Sequence, residues 1–259
     1  MTEIYSETFG YGKPIVLVHG WAMHSGVWRV FAEELAKHYQ VTLVDLPGHG
    51  RSPPMLPFKL ETVSKALVDA VSDEPCCWLG WSLGAAFVLE IARRFPERIN
   101  KLVLLAGSPC FVKKDDWPGM DDKVLDKLAE NLQQDSQATL LRFLSLHIKG
   151  LDNQKATLQA LKTLVFETPE PNKDTLQEGL GILKQADLRD SFAQLKIPVG
   201  VILGQLDTLI PVAVGKKMVA LLPEVDLTVI GRAGHVPFLS HQKAVVDAIC
   251  HFMDKEWER

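Results

Sequence analysis

Five residues, Gly80-Trp81-Ser82-Leu83-Gly84, constrain this chain more than any other stretch. An apolar run, Cys76-Cys77-Trp78-Leu79, precedes them, and a helical pattern from Leu83 to Arg94 follows. Strand, tight turn and helix in that order make a nucleophile elbow, which lifts a serine above the end of a sheet on a strained backbone. The two glycines suit that geometry, because a β-carbon at Gly80 or Gly84 would collide with the neighbouring strand or helix. The Leu83 N–H then lies at a helix N-terminus and points toward whatever negative charge develops beside Ser82. A glycine-flanked serine arises often by chance; the strand before it and the helix after it give this one its meaning.

The flanking chain alternates in the same rhythm. Residues 14–18 form a β-branched run ending at His19-Gly20, and 41–44 form the next strand, closed by the turn Asp45-Leu46-Pro47-Gly48-His49-Gly50-Arg51-Ser52. Residues 30–38 read as a helix with Phe31, Leu35 and Val30 facing inward, and 60–71 as a helix with Val63, Leu67 and Val71 four apart. After the elbow comes a strand at 101–106. Then the rhythm breaks. From 111 to 190 no buried strand is readable, and leucine-rich helical patterns run at 125–132, 140–148, 158–165 and 176–183. Alternation resumes with a strand at 199–203, a helix at 212–222, a strand at 227–230, and a last helix at 242–257 that turns Val245, Ile249, Phe252 and Met253 inward. The expected fold is α/β: a mostly parallel sheet covered by helices on both faces, with 1–110 and 191–259 as the core and 111–190 as an inserted helical lid. A chain of 259 residues, 47% of them hydrophobic, can bury a core of that size.

A serine hydroxyl needs a base, and the base needs a carboxylate to orient it. Two resumed strand ends supply both in the order serine, acid, histidine. Asp207 follows the strand at 199–203 and His235 follows the strand at 227–230; strand C-terminal ends are where parallel sheets place their sites. Asp187, Asp190 and Asp226 compete for the acid and read better as surface charge. His24, His49, His147, His241 and His251 compete for the base and read as surface or structural. The first strand's exit, His19-Gly20-Trp21-Ala22, is placed to give a second oxyanion donor, the Trp21 N–H, beside that of Leu83. Asp45, before a glycine-rich turn, reads as structural.

Several classes are excluded or disfavoured. Net charge is -4, so no basic field favours nucleic acid or an anionic membrane. No apolar run is long enough to span a bilayer. Residues 1–10 carry Glu3 and Glu7 without a long apolar run, so no secretory signal is expected. Cys76, Cys77, Cys110 and Cys250 lack metal-ligand spacing and read as reduced thiols in the cytoplasm. No metal and no dinucleotide cofactor is expected.

These residues resemble the α/β-hydrolase superfamily along the whole chain, and more closely the BioH family of pimeloyl-ACP methyl ester carboxylesterases. The likeness is carried by Leu17-Val18-His19-Gly20-Trp21, Val44-Asp45-Leu46-Pro47-Gly48, Trp78 through Gly84, Ser108-Pro109-Cys110-Phe111, Asp116-Trp117-Pro118-Gly119 and Arg142-Phe143-Leu144-Ser145-Leu146. It implies hydrolysis of the methyl ester of pimeloyl-ACP in biotin biosynthesis, with Ser82, Asp207 and His235 as triad. Trp21, Ser82, Leu83, Phe143, Leu144, Ser145, Leu146, His147 and His235 are then the substrate contacts. Ala22 and Ala85 stand where relatives often carry glycine, and His147 where a glutamine is expected. A local excess of basic residues, Arg142, Lys149, Lys155 and Lys162, suggests where an acidic acyl carrier protein would dock, with Arg142, Lys149 and Lys155 the leading positions. The expected protein is a monomer. A general short-chain carboxylesterase, a carbon–carbon bond hydrolase and a non-catalytic hydrolase-like binding protein all fit the same triad.

Overall fold

The computed structural model describes residues 3–148 and 154–257. Among these residues seven strands form one sheet: β1 (Ser6–Gly10), β2 (Pro14–Val18), β3 (Gln40–Val44), β4 (Cys76–Trp81), β5 (Ile99–Leu105), β6 (Val199–Gly204) and β7 (Asp226–Ile230). Their order is β1-β3-β2-β4-β5-β6-β7, with β1 antiparallel to β3 and every other pairing parallel. Strand β1 has no counterpart in the sequence reading. It is an edge strand with no fully buried residue, so it carries no apolar signal.

Burial explains why the inner strands were readable. Every residue of β4 and β6 is buried, as befits parallel strands covered on both faces. Successive side chains enter opposite layers. Val16, Val18, Trp78, Leu102 and Leu104 join one core cluster. Ile15, Leu17, Cys77, Leu79, Val103 and Leu105 join the other. The first layer is covered by α2 (Leu60–Asp69), α3 (Leu83–Arg94), α8 (Arg189–Ala193) and α9 (Ala213–Leu221). The second is covered by α1 (Arg29–Leu35) and α11 (Gln242–Asp254), whose Val245, Ile249, Phe252 and Met253 all face in. In α1 one expectation fails. Val30 is 62% exposed, and Ala32 takes the inward place with Phe31 and Leu35, the helix phase being set by those two larger anchors.

Between β5 and β6, α4 (Asp122–Gln134), α5 (Ser136–His147), α6 (Gln154–Phe166) and α7 (Lys173–Gln185) lead into α8. Among the described residues this segment has isolated β-bridges but no named strand. Its two ends are strapped together: Cys110 bridges Asp187, and the Leu188 N–H donates to Pro109 O at 2.8 Å. Helix α5 divides its apolar residues, Leu140 and Phe143 entering one cluster and Leu144 the other. It therefore lies across the boundary between the two layers.

Strand order fixes where a site can form. From β2 the chain crosses one way to β3 and then returns to the other side of β2 as β4. Parallel sheets open a crevice outside the strand ends at such a reversal. The loop after β2 and the turn after β4 both enter it.

Candidate active site

Ser82 sits at φ 55°, ψ -117°, between β4 and α3. A non-glycine residue at positive φ costs about 1–3 kcal/mol, which the surrounding turn must offset. Two bonds pin that turn, Ser82 N–H to Leu105 O at 3.2 Å and Ala85 N–H to Ser82 O at 3.0 Å. A β-carbon at Gly80 would fall on the Gly84 carbonyl, and one at Gly84 on the Val18 carbonyl of β2. Those are the close approaches that the glycine spacing predicts. The Ala85 methyl fills the space over Gly107, where an added Cβ would lie 2.5 Å from it.

The Ser82 hydroxyl lies 2.9 Å from His235 Nε2, and His235 Nδ1 lies 2.7 Å from Asp207 Oδ2. The other Asp207 oxygen accepts the N–H groups of Leu209 at 2.8 Å and Ile210 at 3.0 Å. With the carboxylate held on both oxygens, the imidazole keeps its proton on Nδ1 and turns the lone pair of Nε2 to Ser82. All three residues are buried, with Ser82 5% exposed and His235 1%. The competing acids lie elsewhere. Asp187 is paired with Arg189 at 2.7 Å, which holds its carboxyl below the usual range, and Asp226 is paired with Lys255 at 3.0 Å.

Two backbone amides flank Ser82: Leu83 follows it in the chain, and Trp21 follows Gly20, where an added Cβ would lie 3.1 Å from the Ser82 Cβ. Among the described residues neither the Trp21 N–H nor the Leu83 N–H donates to a protein acceptor. A pair of unengaged N–H groups beside a nucleophile is what an oxyanion requires. The peptide carrying the Trp21 N–H is held from behind by His19, a residue that the motif reading passed over. The Leu46 N–H donates to His19 Nε2 at 3.0 Å, so the ring proton is on Nδ1, 2.8 Å from Gly20 O. Burial pushes His19 down to about 3, so that tautomer persists through the neutral range. Ala22 follows at φ 61°, a position that favours glycine by about 1–2 kcal/mol. Asp45 accepts from the N–H groups of Ser25 at 2.5 Å and Arg51 at 2.9 Å, a structural duty.

Helix α5 closes over the triad. Phe143 meets the Trp21 ring edge-on at 4.7 Å, and His147 meets His235 at 5.0 Å and Trp81 at 5.7 Å. His147 is 1% exposed, neither surface nor simple core, and its Nδ1–H donates to Phe143 O at 2.9 Å. Burial, and then the neighbouring His235, push it down to about 3. Leu144 is buried, Leu146 half-buried, and Ser145 is exposed with its hydroxyl bonded to Leu141 O. At 100° per residue Ser145 lies on the helix side opposite Phe143 and His147. The Trp21 indole N–H donates to Leu176 O of α7 at 2.8 Å, and His24 Nε2–H to Leu164 O of α6 at 2.7 Å, so loops of the core hold two inserted helices. Arg142 and Lys155 are exposed and Lys162 half-buried; Lys149 lies outside the described residues. Among the described residues no cluster of three histidines, cysteines or carboxylates could hold a metal ion. None of their helices is long and apolar enough to cross a membrane.

The α/β-hydrolase-fold family model matches residues 13–242. Solved structures agree in fold: an esterase from Exiguobacterium antarcticum superposes with a TM-score of 0.89 at 22% identity, covering 98% of this chain and 96% of that one. A bromoperoxidase from Bacillus anthracis gives 0.89 at 23%, with the same coverage. Curated relatives are much closer in sequence. The pimeloyl-[acyl-carrier protein] methyl ester esterase of Methylococcus capsulatus is 39% identical over 250 residues, 96% of this chain and 98% of that protein. The protein of the same name from Xylella fastidiosa is 40% identical over 254 residues, with the same shares covered. The chain belongs to the pimeloyl-[acyl-carrier protein] methyl ester esterase family. In this chain Ser82, Asp207 and His235 stand after β4, β6 and β7.

Proposed function

We propose that this chain is a serine carboxylesterase that hydrolyses the methyl ester of pimeloyl-acyl carrier protein to the free acid and methanol, a step of biotin biosynthesis in the cytoplasm. Two things support it together: the unbroken hydrogen-bonded line Ser82–His235–Asp207, and 39% identity to an esterase of that name over nearly the whole of both chains. Ser82 Oγ attacks the ester carbonyl while His235 Nε2 takes its proton. The N–H groups of Trp21 and Leu83 receive the oxyanion. The same proton goes to the departing methanol, and water, deprotonated by His235, then releases the acyl group.

In this reading residues 111–190 are the lid on a core of 1–110 and 191–259. The acyl chain runs between Phe143 and His147 of α5 and Trp21 of the core. Leu144 and Leu146 back that wall, and Ser145, exposed on the opposite side of α5, is not part of it. Arg142 and Lys155, both exposed, offer basic positions to the acidic carrier, which would be steered there in a salt-dependent way. The enzyme acts as a monomer and needs no cofactor.

The test is mass spectrometry of pimeloyl-acyl carrier protein methyl ester after incubation with the enzyme. A loss of 14 mass units (about one CH2, methyl replaced by hydrogen) is expected, with Ser82→Ala slower by about 10³-fold or more and still folded. A general esterase would cleave short free esters and leave the carrier-linked one intact. Turnover by Ser82→Ala near the wild-type rate would remove Ser82 from its role.

A further inference from the structure

We infer that Trp81 is a positioning residue, which fixes His235 against Ser82 through a hydrogen bond from its indole N–H to the His235 backbone carbonyl. The bond is 2.9 Å long and joins residues 154 positions apart. Trp81 is fully buried, at 0% exposure. Its ring is wedged among Phe238 at 5.0 Å, His147 at 5.7 Å, His235 at 5.8 Å and Trp28 at 5.9 Å, so the indole has one orientation available.

The loop that carries His235, between β7 and α10 (Pro237–Ser240), has no regular structure of its own to set the imidazole's position. It is held from two directions. On the acid side, the Leu206 N–H donates to Ala233 O at 2.8 Å, and Leu206 adjoins Asp207. On the nucleophile side, Trp81 holds His235 O, and Trp81 adjoins Ser82. Each triad partner of His235 thus has a chain neighbour gripping the loop of the base. The grip matters because the Oγ–Nε2 contact joins two separate loops, and proton transfer weakens steeply with misalignment. Without the indole N–H, the buried His235 carbonyl loses a donor and the loop will relax toward another. The imidazole must follow its own backbone.

This inference rests on the triad reading, and the experiment separates the two. Trp81→Phe removes the N–H and part of the ring. Replacing Trp81 site-specifically with benzothienylalanine removes the N–H while keeping the bicyclic shape, so it covers the case in which the phenylalanine variant folds poorly. Measured on a short free ester, kcat should fall by about 10- to 100-fold in both, with KM changed by less than about twofold, because ground-state binding is untouched. Phosphonate labelling of Ser82 should slow by the same factor. The low-field proton resonance of the His235–Asp207 bond should persist, since the acid-side grip is intact. If the benzothienylalanine enzyme keeps kcat and labelling rate within about twofold of wild type, Trp81 is packing alone and the inference fails, while an inert Ser82→Ala leaves the triad standing. The inference also fails if activity falls only in proportion to the folded fraction.

Discussion

Three buried histidines should make this protein sensitive to mild acid. His19, His49 and His147 are all 1% exposed or less, and burial pushes each down to about 3. In the unfolded chain each titrates near 6.5. Above that value both states are neutral and the histidines contribute nothing to the pH dependence. Below it the unfolded chain takes up protons that the folded protein refuses, so stability falls as pH falls and the loss saturates only near pH 3. For one such group the loss relative to neutral pH is about 1 kcal/mol at pH 5.5 and about 2 kcal/mol at pH 5. His19 and His49 lie 5.4 Å apart and share some of that penalty, so the three do not simply add. Even two independent groups would remove about 4 kcal/mol at pH 5, a large part of the 5–15 kcal/mol typical of a folded domain. Urea unfolding followed by tryptophan fluorescence, at fixed ionic strength from pH 7.5 to 5, would measure it. His147→Gln isolates one group and should flatten the slope near pH 5.5 by about 1 kcal/mol per pH unit. A wild-type curve that is flat over this range, or an unchanged slope in the variant, would refute the reasoning.

Three further outcomes follow from particular contacts. Trp21→Pro deletes one oxyanion N–H and should lower kcat by about 10²–10³-fold, whereas Trp21→Phe keeps that N–H, loses the indole's bond to the Leu176 carbonyl and should show in KM and stability first; equal kcat losses in both would point to the ring. Arg142→Glu should raise KM for the carrier-linked ester, more at low salt, with a small free ester almost unaffected; steady-state kinetics at two salt concentrations decide it, and equal losses would make Arg142 structural. Gly80→Ala puts a methyl on the Gly84 carbonyl and should cost at least about 1–3 kcal/mol together with phosphonate labelling of Ser82; a stable variant that labels normally would contradict the elbow geometry.

What the amino-acid order determined by itself was local. The buried parallel strands announced themselves as apolar runs, and α3 begins and ends at the residues its pattern indicates, Leu83 and Arg94. Gly80 and Gly84 bracketed Ser82 because steric exclusion acts within a few residues. Asp207 and His235 were readable because each follows a strand that the sequence shows. The edge strand β1 was not, since a strand open to water needs no apolar face. Only tertiary structure could decide the contacts between distant segments. His147 reads from its place in the chain as surface or structural, the family resemblance puts it among the substrate contacts, and only the fold lays it against His235. His19 has no role of its own in the motif and holds the peptide of Trp21. Trp81 occupies a position that the pentad leaves open, yet it reaches the backbone of a residue 154 positions away. Spacing along a chain records sterics and periodicity, whereas the partner of a buried N–H is chosen by whichever carbonyl the finished fold brings within 3 Å or so of it.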